Sequence, residues 1–141
     1  MGLVRYHGRT IEVQIGGWMK ESERAQVEER LQQERERAIE ALEKFERQRS
    51  DSREEASGEL SSYPFHMADV ATDAIEQEKR LLLESREGEL LWAIDEALRR
   101  LYGDPESFGI CEQCGRQISL ERLDVLPWTT LCADCARDGK A

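Results

Sequence analysis

Apolar residues recur at spacings of three and four in two long segments of the chain, which places them on one face of an α-helix. The first segment, residues 19–49, is rich in Glu, Gln, Arg, Ala and Leu and contains no Gly or Pro, a composition of strong helix formers. Its apolar positions are Val27, Leu31, Ala38, Leu42 and Phe45. The pattern predicts a helix with one narrow apolar face.

The second segment, residues 66–101, repeats this pattern most clearly near its end. The late positions are Leu91, Ile94, Leu98 and Leu101, and the earlier ones are Val70, Ala71, Ala74, Ile75 and Leu82. Gly88 weakens the middle of this predicted helix by about 1 kcal/mol relative to Ala. The Gly-Asp-Pro sequence of residues 103–105 predicts its end.

The link between the two helical patterns, residues 50–64, is dominated by Ser and Glu and ends at Pro64, which disfavours helical backbone at Tyr63. We expect a loop here and a tip near residues 50–69. Because each helix has a single narrow stripe that needs a partner, the polar link favours antiparallel pairing. The predicted fold is therefore mainly α, a long antiparallel helical hairpin or coiled coil over residues 19–107.

The N-terminal residues 1–18 carry a different pattern. Residues 10–15 alternate apolar and polar side chains and are flanked by glycines, which predicts a short strand and a β-like extension. Pairing of this strand with residues 3–6, packing on a neighbour and disorder all remain open, because a lone hairpin is marginal in water.

Composition and charge narrow the classes of partner. Of the 141 residues, 35% are charged and 39% hydrophobic, and the net charge is −10. Most of the excess lies in residues 50–110, with fifteen acidic and six basic residues. An acidic chain without a basic stripe is a poor nucleic-acid binder, and an acidic face prefers a basic partner.

The longest apolar run, residues 90–94, is far shorter than the roughly 20 residues that span a bilayer, and no charged-then-apolar leader opens the chain. We therefore expect a cytoplasmic protein with no membrane partner. Reduced thiols in that compartment favour metal binding over disulfides.

The four cysteines form two CxxC pairs separated by seventeen residues: Cys111 with Cys114, and Cys132 with Cys135. Two such pairs can supply the closed tetrahedral shell of a structural zinc ion. The sequence therefore predicts one Zn²⁺ held by these four thiolates in a C-terminal zinc ribbon, residues 108–141. A thioredoxin-like redox motif needs only one CxxC, within a βαβ pattern that this chain lacks.

Catalysis is not expected of this chain. Four cysteine ligands leave no open position on the metal where water could be activated. The sequence also shows no cluster of nucleophile, base and orienting group. The predicted metal stabilises a segment that is too small to fold by apolar burial alone.

A long helical hairpin followed by a four-cysteine ribbon resembles the DksA/TraR family of bacterial transcription factors, over about residues 19–137. The residues that carry the resemblance in the ribbon are Phe108, Gly109, Ile110, Cys111, Glu112, Gln113, Cys114, Gly115, Ile118, Arg122, Leu123, Pro127, Leu131, Cys132, Ala133, Asp134 and Cys135. At the tip, Asp69, Val70 and Ala71 look like the Asp-x-Ala of the family's coiled coil.

This resemblance implies a monomer that binds RNA polymerase by entering its secondary channel. It implies that the tip acid Asp69, with Ala71, contacts elements beside the catalytic centre without DNA contact, and Asp73 lies one turn later. In the family the alarmone ppGpp often potentiates the effect at the polymerase interface. His66 stands where some members carry a second tip acid.

Residues 19–24 themselves look like a family N-terminus, so residues 1–18 are interpreted as an appended element or as an upstream choice of start. Two other functions stay open at this point. One is a coiled-coil zinc-finger adaptor or oligomerisation protein, and the other is a DNA-binding zinc finger.

Overall fold

Two long helices dominate the computed structural model, which describes residues 2–6, 9–13, 18–58 and 67–139, with side chains described for residues 18–54 and 71–139. The elements in chain order are β1 (Gly2–Tyr6), β2 (Arg9–Val13), α1 (Glu21–Gly58), α2 (Met67–Gly103), α3 (Leu120–Val125) and α4 (Ala133–Asp138). The predicted mainly α class, with a four-cysteine segment after two long helices, is confirmed.

Helix α1 begins close to the predicted start but ends much later than predicted. At its start the backbone N–H of Lys20 donates to the Glu23 carboxylate at 2.8 Å. The expected loop from residue 50 is wrong, because α1 continues to Gly58. Residues 50–57 contain no Gly or Pro, and the Ser52 hydroxyl bonds the Gln48 carbonyl at 2.8 Å, so its polar group is satisfied within the helix.

Helix α2 ends at Gly103, as the sequence of residues 103–105 predicts. The backbone N–H of Asp104 still donates to the Arg100 carbonyl at 2.9 Å, which closes the last turn. Gly88 does not interrupt the helix. A Cβ built on Gly88 would meet nothing within 4 Å, so its missing side chain serves no contact within the described residues.

The chain divides into two compact units. The first unit comprises Met1–Glu34 and Ala93–Ala141. Within it α1 and α2 run antiparallel, because Trp18 contacts Phe108 whereas the later Glu28 accepts a hydrogen bond from the earlier Tyr102 at 2.6 Å. Its core includes the fully buried Leu31, Ile94, Ile118 and Leu123.

The second unit comprises Arg35–Trp92. Here Nη2 of Arg49 in α1 donates to both carboxylate oxygens of Glu84 in α2, at 2.6 and 2.5 Å. Ala38 is buried, and Leu42 and Phe45 are half-buried.

The early part of the predicted α2 stripe is not a buried face. Ile75 is 53% exposed and Leu82 is 55% exposed, and Ala71 and Ala74 are exposed as well. Near Leu82 the reason lies in α1, which carries no apolar residue from position 46 to position 55, on either side of the Arg49 that pairs with Glu84.

The N-terminal strands β1 and β2 pair antiparallel, from Gly2 opposite Val13 to Tyr6 opposite Arg9. This is the pairing with residues 3–6 that the sequence left open as one of three alternatives. The division of the chain at residues 18 and 107 stays a prediction. Within the described ranges, none of the helices combines the length and apolar character that crossing a membrane requires.

Candidate metal centre

The first two cysteines lie in a short turn that we call the first knuckle, residues 109–118. Gly109 and Gly115 have positive φ angles of 79° and 70°, a backbone conformation that favours glycine. The backbone N–H of Cys111 donates to the backbone carbonyl of Arg116 at 2.8 Å, and the N–H of Gly115 donates to the backbone carbonyl of Cys111 at 2.9 Å. These bonds turn the Cys111 and Cys114 side chains toward one point.

The second pair of cysteines lies at the start of α4, in a turn that we call the second knuckle, residues 132–135. Cys132 is the N-cap of this helix and Cys135 lies in its first turn. The Cys132 carbonyl accepts a hydrogen bond from the Ala136 N–H, and the Cys135 carbonyl accepts one from the Gly139 N–H, both at 2.9 Å. The helical turn therefore places two thiols on the same side of the chain.

The structure brings the four sulfurs together. All four Sγ atoms lie within 4.8 Å of one another, and the Sγ atoms of Cys114 and Cys132 are 3.7 Å apart. With Zn–S bonds of about 2.3 Å, a tetrahedral site places its sulfurs about 3.8 Å apart. The donor set and its spacing therefore fit a four-coordinate zinc ion.

Between Cys114 and Cys132 the chain contributes several residues to the buried core. Ile118 and Leu123 are fully buried, and Pro127 is buried with them. The Ser119 hydroxyl caps α3 by accepting from the Arg122 N–H, and the Arg122 side chain donates to the Leu131 carbonyl at 2.9 Å. These contacts fix the path of the chain from Cys114 to Cys132.

The thiols differ in proton affinity. Burial works against the Cys111 thiolate, but the backbone N–H groups of Cys132, Cys114 and Gln113 outweigh it and lower the Cys111 pKa. The backbone N–H and then the guanidinium of Arg116 lower the pKa of Cys114 to about 6.

Cys135 behaves in the opposite way. Burial, followed by the neighbouring sulfurs of Cys132, Cys114 and Cys111, raises its pKa to about 12. Without a cation to balance the charge, Cys135 therefore keeps its proton at neutral pH.

Two arginines support the centre from outside it. Arg116, beside Cys114, also lies 3.4 Å from the Asp134 carboxylate in α4, which links the two knuckles. Arg100 of α2 donates to the Trp128 carbonyl at 3.5 Å, and its guanidinium carbon lies 6.0 Å from the centre of the Phe108 ring.

The predicted tip residues belong to a different compact unit from the cysteines. Asp69 is the third residue of α2, within the described backbone but outside the described side chains, and His66 lies outside the described residues. Ala71 and Asp73 are exposed on α2. Asp69, Ala71 and Asp73 fall in the second unit, whereas the cysteines fall in the first.

Sequence reasoning missed two residues near the centre. Arg116 could have been found, because it follows Gly115 directly after the first CxxC. Trp18 could not, because its hydrogen bond to the Phe108 carbonyl joins residues ninety positions apart.

Comparison with known proteins identifies the segment around the cysteines. Residues 106–138 match the family described as the prokaryotic dksA/traR C4-type zinc finger. The uncharacterized protein YteA of Bacillus subtilis is 40% identical over 77 residues, which cover 55% of this chain and 31% of YteA.

Two further matches bear the DksA name. The RNA polymerase-binding transcription factor DksA of Haemophilus influenzae is 36% identical over 77 residues, which cover 55% of this chain and 51% of that protein. The structure of the transcription factor DksA2 from Pseudomonas aeruginosa matches with a TM-score of 0.68 and 28% identity, over 87% of each chain.

The matched segments span between 31% and 54% of the length of the first curated relatives. The solved structure extends the likeness to the two long helices. The resemblance to the DksA/TraR family is thereby confirmed, and residues 106–138 are the part of the chain that matches its C4-type zinc finger.

Proposed function

We propose that this chain is a non-enzymatic transcription regulator that binds RNA polymerase. The observation that carries the proposal is the likeness to DksA2, which covers 87% of both chains and so includes the helices as well as the zinc finger. The DksA of Haemophilus influenzae is named as an RNA polymerase-binding factor, and this chain is similar to it over 77 residues.

The metal is proposed to be one structural zinc ion, held by Cys111, Cys114, Cys132 and Cys135. Zinc supplies charge balance and a fixed tetrahedral anchor when bound, and four sulfur ligands leave it no open position. The residues of the chain supply the rest: Arg116 favours the thiolate of Cys114, and the packed Ile118 and Leu123 hold the two knuckles at the required spacing.

The proposed mode of action is entry of the α1 and α2 pair into the secondary channel of polymerase, with the start of α2 as the acting tip. Asp69 is the proposed acting acid, in the first turn of α2, with Ala71 and Asp73 beside it in sequence. Of the charged residues from position 71 to position 92, six are acidic and three are basic, which suits a basic channel wall. In this proposal the protein is a cytoplasmic monomer, and ppGpp acts at the interface that it forms with polymerase.

Competition for purified RNA polymerase against a known secondary-channel factor tests this proposal. We expect the native chain and its Asp69→Asn variant to displace that factor equally, because one neutralised carboxylate leaves the rest of the surface intact. We expect only the native chain to change transcription from a responsive promoter. Glu78→Gln removes an acid of the same helix outside the proposed tip and should keep both properties.

Two results would count against the proposal at different levels. If the native chain does not compete for polymerase, the function itself is wrong. If Asp69→Asn competes and still alters transcription as the native chain does, polymerase binding stands and the tip role of Asp69 is wrong.

The adaptor or oligomerisation function is the second candidate, favoured by the exposed Ile75 and Leu82 on α2. It predicts self-association in light scattering and indifference to polymerase. The DNA-binding candidate is disfavoured by the net charge of −10, and it predicts salt-dependent affinity for duplex DNA.

A further inference from the structure

We propose that Trp18 is a positioning residue for the metal centre, which holds the first knuckle in its metal-binding form. Trp18 is the last residue of the segment that the sequence pattern separates as an N-terminal extension. The inference rests on the zinc site and is independent of binding to polymerase.

The contact is specific in both its polar and its apolar parts. The indole N–H of Trp18 donates to the Phe108 carbonyl at 3.0 Å. The ring lies against Gly109 so closely that a Cβ on this glycine would be 2.5 Å from Trp18 Cζ2 and 3.3 Å from Met19 Cε. Met19 is only 4% exposed and Phe108 only 3%.

The place of contact is the base of the first knuckle. The Gly109 carbonyl accepts a hydrogen bond from the Ile118 N–H at 2.7 Å, and Ile110 pairs with Gln117 in the adjacent bridge. Cys111 follows directly. Trp18 therefore contacts Phe108 and Gly109, the two residues from which the ligand-bearing turn starts.

Glycine is required at position 109 for two independent reasons. Its φ of 79° is a conformation that residues with a side chain rarely adopt, and the space of a side chain is occupied by the Trp18 ring. Glycine has more backbone freedom than any other residue, and holding it in one conformation therefore needs restraint from its surroundings. The ring and the hydrogen bond to Phe108 supply this restraint from outside the knuckle.

Restraint of the knuckle favours metal retention. A metal ligand turn that is already ordered loses less conformational entropy when the ion binds, and residues that orient ligands typically change metal affinity by about tenfold or more. We infer that the Trp18 contact slows release of zinc, although Trp18 contributes no ligand. The same coupling requires that loss of zinc loosens the ring of Trp18.

The first test measures transfer of zinc from the full-length loaded protein to a coloured chelator. We expect Trp18→Ala to release zinc about tenfold faster or more. Trp18→Phe, which keeps a ring and loses the N–H donor, should fall between this variant and the native chain. The matched control is Trp92→Ala, because Trp92 is 68% exposed on α2 and should leave the rate unchanged.

A pair of variants tests whether the ring acts through Gly109. Gly109→Ala should also speed release, and it should do so less in a Trp18→Ala background, because the clash with the ring is then absent. Equal release rates for Trp18→Ala and Trp92→Ala would overturn the proposal.

A second measurement covers the case in which Trp18→Ala fails to fold. In a chain with Trp92→Phe and Trp128→Phe, Trp18 is the sole tryptophan, and its emission reports on the native contact. We expect removal of zinc by the chelator to shift this emission to longer wavelength as the ring becomes exposed. An emission spectrum that is the same with and without zinc would contradict the coupling.

Discussion

At the scale of single residues, Cys114 and Cys135 of the metal centre differ widely in proton affinity. The pKa of Cys114 is lowered to about 6 by the backbone and guanidinium of Arg116, whereas burial and the neighbouring sulfurs raise that of Cys135 to about 12. Near neutral pH the metal-free site therefore holds Cys114 as thiolate and Cys135 as thiol. A metal ion needs both as thiolates.

Zinc binding should therefore release a proton, and zinc affinity should rise with pH. Cys135 must give up its proton to bind zinc at any pH below about 12, and below about pH 6 protonation of Cys114 adds a second proton to displace, so affinity falls more steeply. Calorimetry in buffers of different ionisation enthalpy measures the released protons. Binding that is independent of pH over this range would contradict the assignment.

Burial separates two leucines that share the same apolar pattern in the sequence. Leu31→Ala removes a fully buried side chain and should lower stability by about 2 to 5 kcal/mol, because a cavity remains. Leu82→Ala removes a side chain that is 55% exposed and should stay within about 0.5 kcal/mol. Thermal unfolding followed by circular dichroism checks both, and equal losses would contradict the difference in packing.

At the scale of elements, the existence of both long helices could be predicted from the spacing of apolar residues, and the end of α2 from residues 103–105. The end of α1 could not, because Ser and Glu between residues 50 and 57 are typical of loops as well as of exposed helix. Helix propagation from an established turn requires only that each added residue tolerates helical backbone. Residues 50–57 meet this condition, and α1 reaches Gly58.

Gly88→Ala should stabilise α2. A Cβ at this position would touch nothing within 4 Å, and Ala is favoured over Gly inside a helix by about 0.5 to 1 kcal/mol. We expect a higher unfolding temperature for helical circular dichroism. Gly109→Ala is the matched contrast and should lower stability, because position 109 combines a positive φ with the Trp18 contact. An unchanged or lower unfolding temperature for Gly88→Ala would contradict the expectation.

At the scale of the whole molecule, the chain has two compact units that depend on different physical terms. The first unit contains the cysteines, and the segment around them is small enough to depend on the metal for its order. The second unit, Arg35–Trp92, contains no cysteine and is built from parts of α1 and α2. Its order rests on helix formation and on contacts between the two helices such as the pair of Arg49 and Glu84.

Removal of the metal should therefore act on one unit. We expect chelation to increase amide hydrogen exchange strongly in residues 108–139, and to leave exchange in Arg35–Trp92 nearly unchanged. Mass spectrometry of the exchanged peptides measures both regions in one sample. Addition of zinc should restore the original pattern, and a uniform increase over the whole chain would contradict the separate behaviour of the units.

The sequence by itself determined the helical class and the four cysteine positions, because the helical period and the CxxC spacing are properties of neighbouring residues. Only the tertiary structure decided which apolar residues are buried, since Ile75 and Leu82 follow the pattern and yet lie exposed. The split in thiol pKa and the contact of Trp18 with Gly109 also belong to the tertiary structure. Each depends on groups that folding alone brings within a few ångströms.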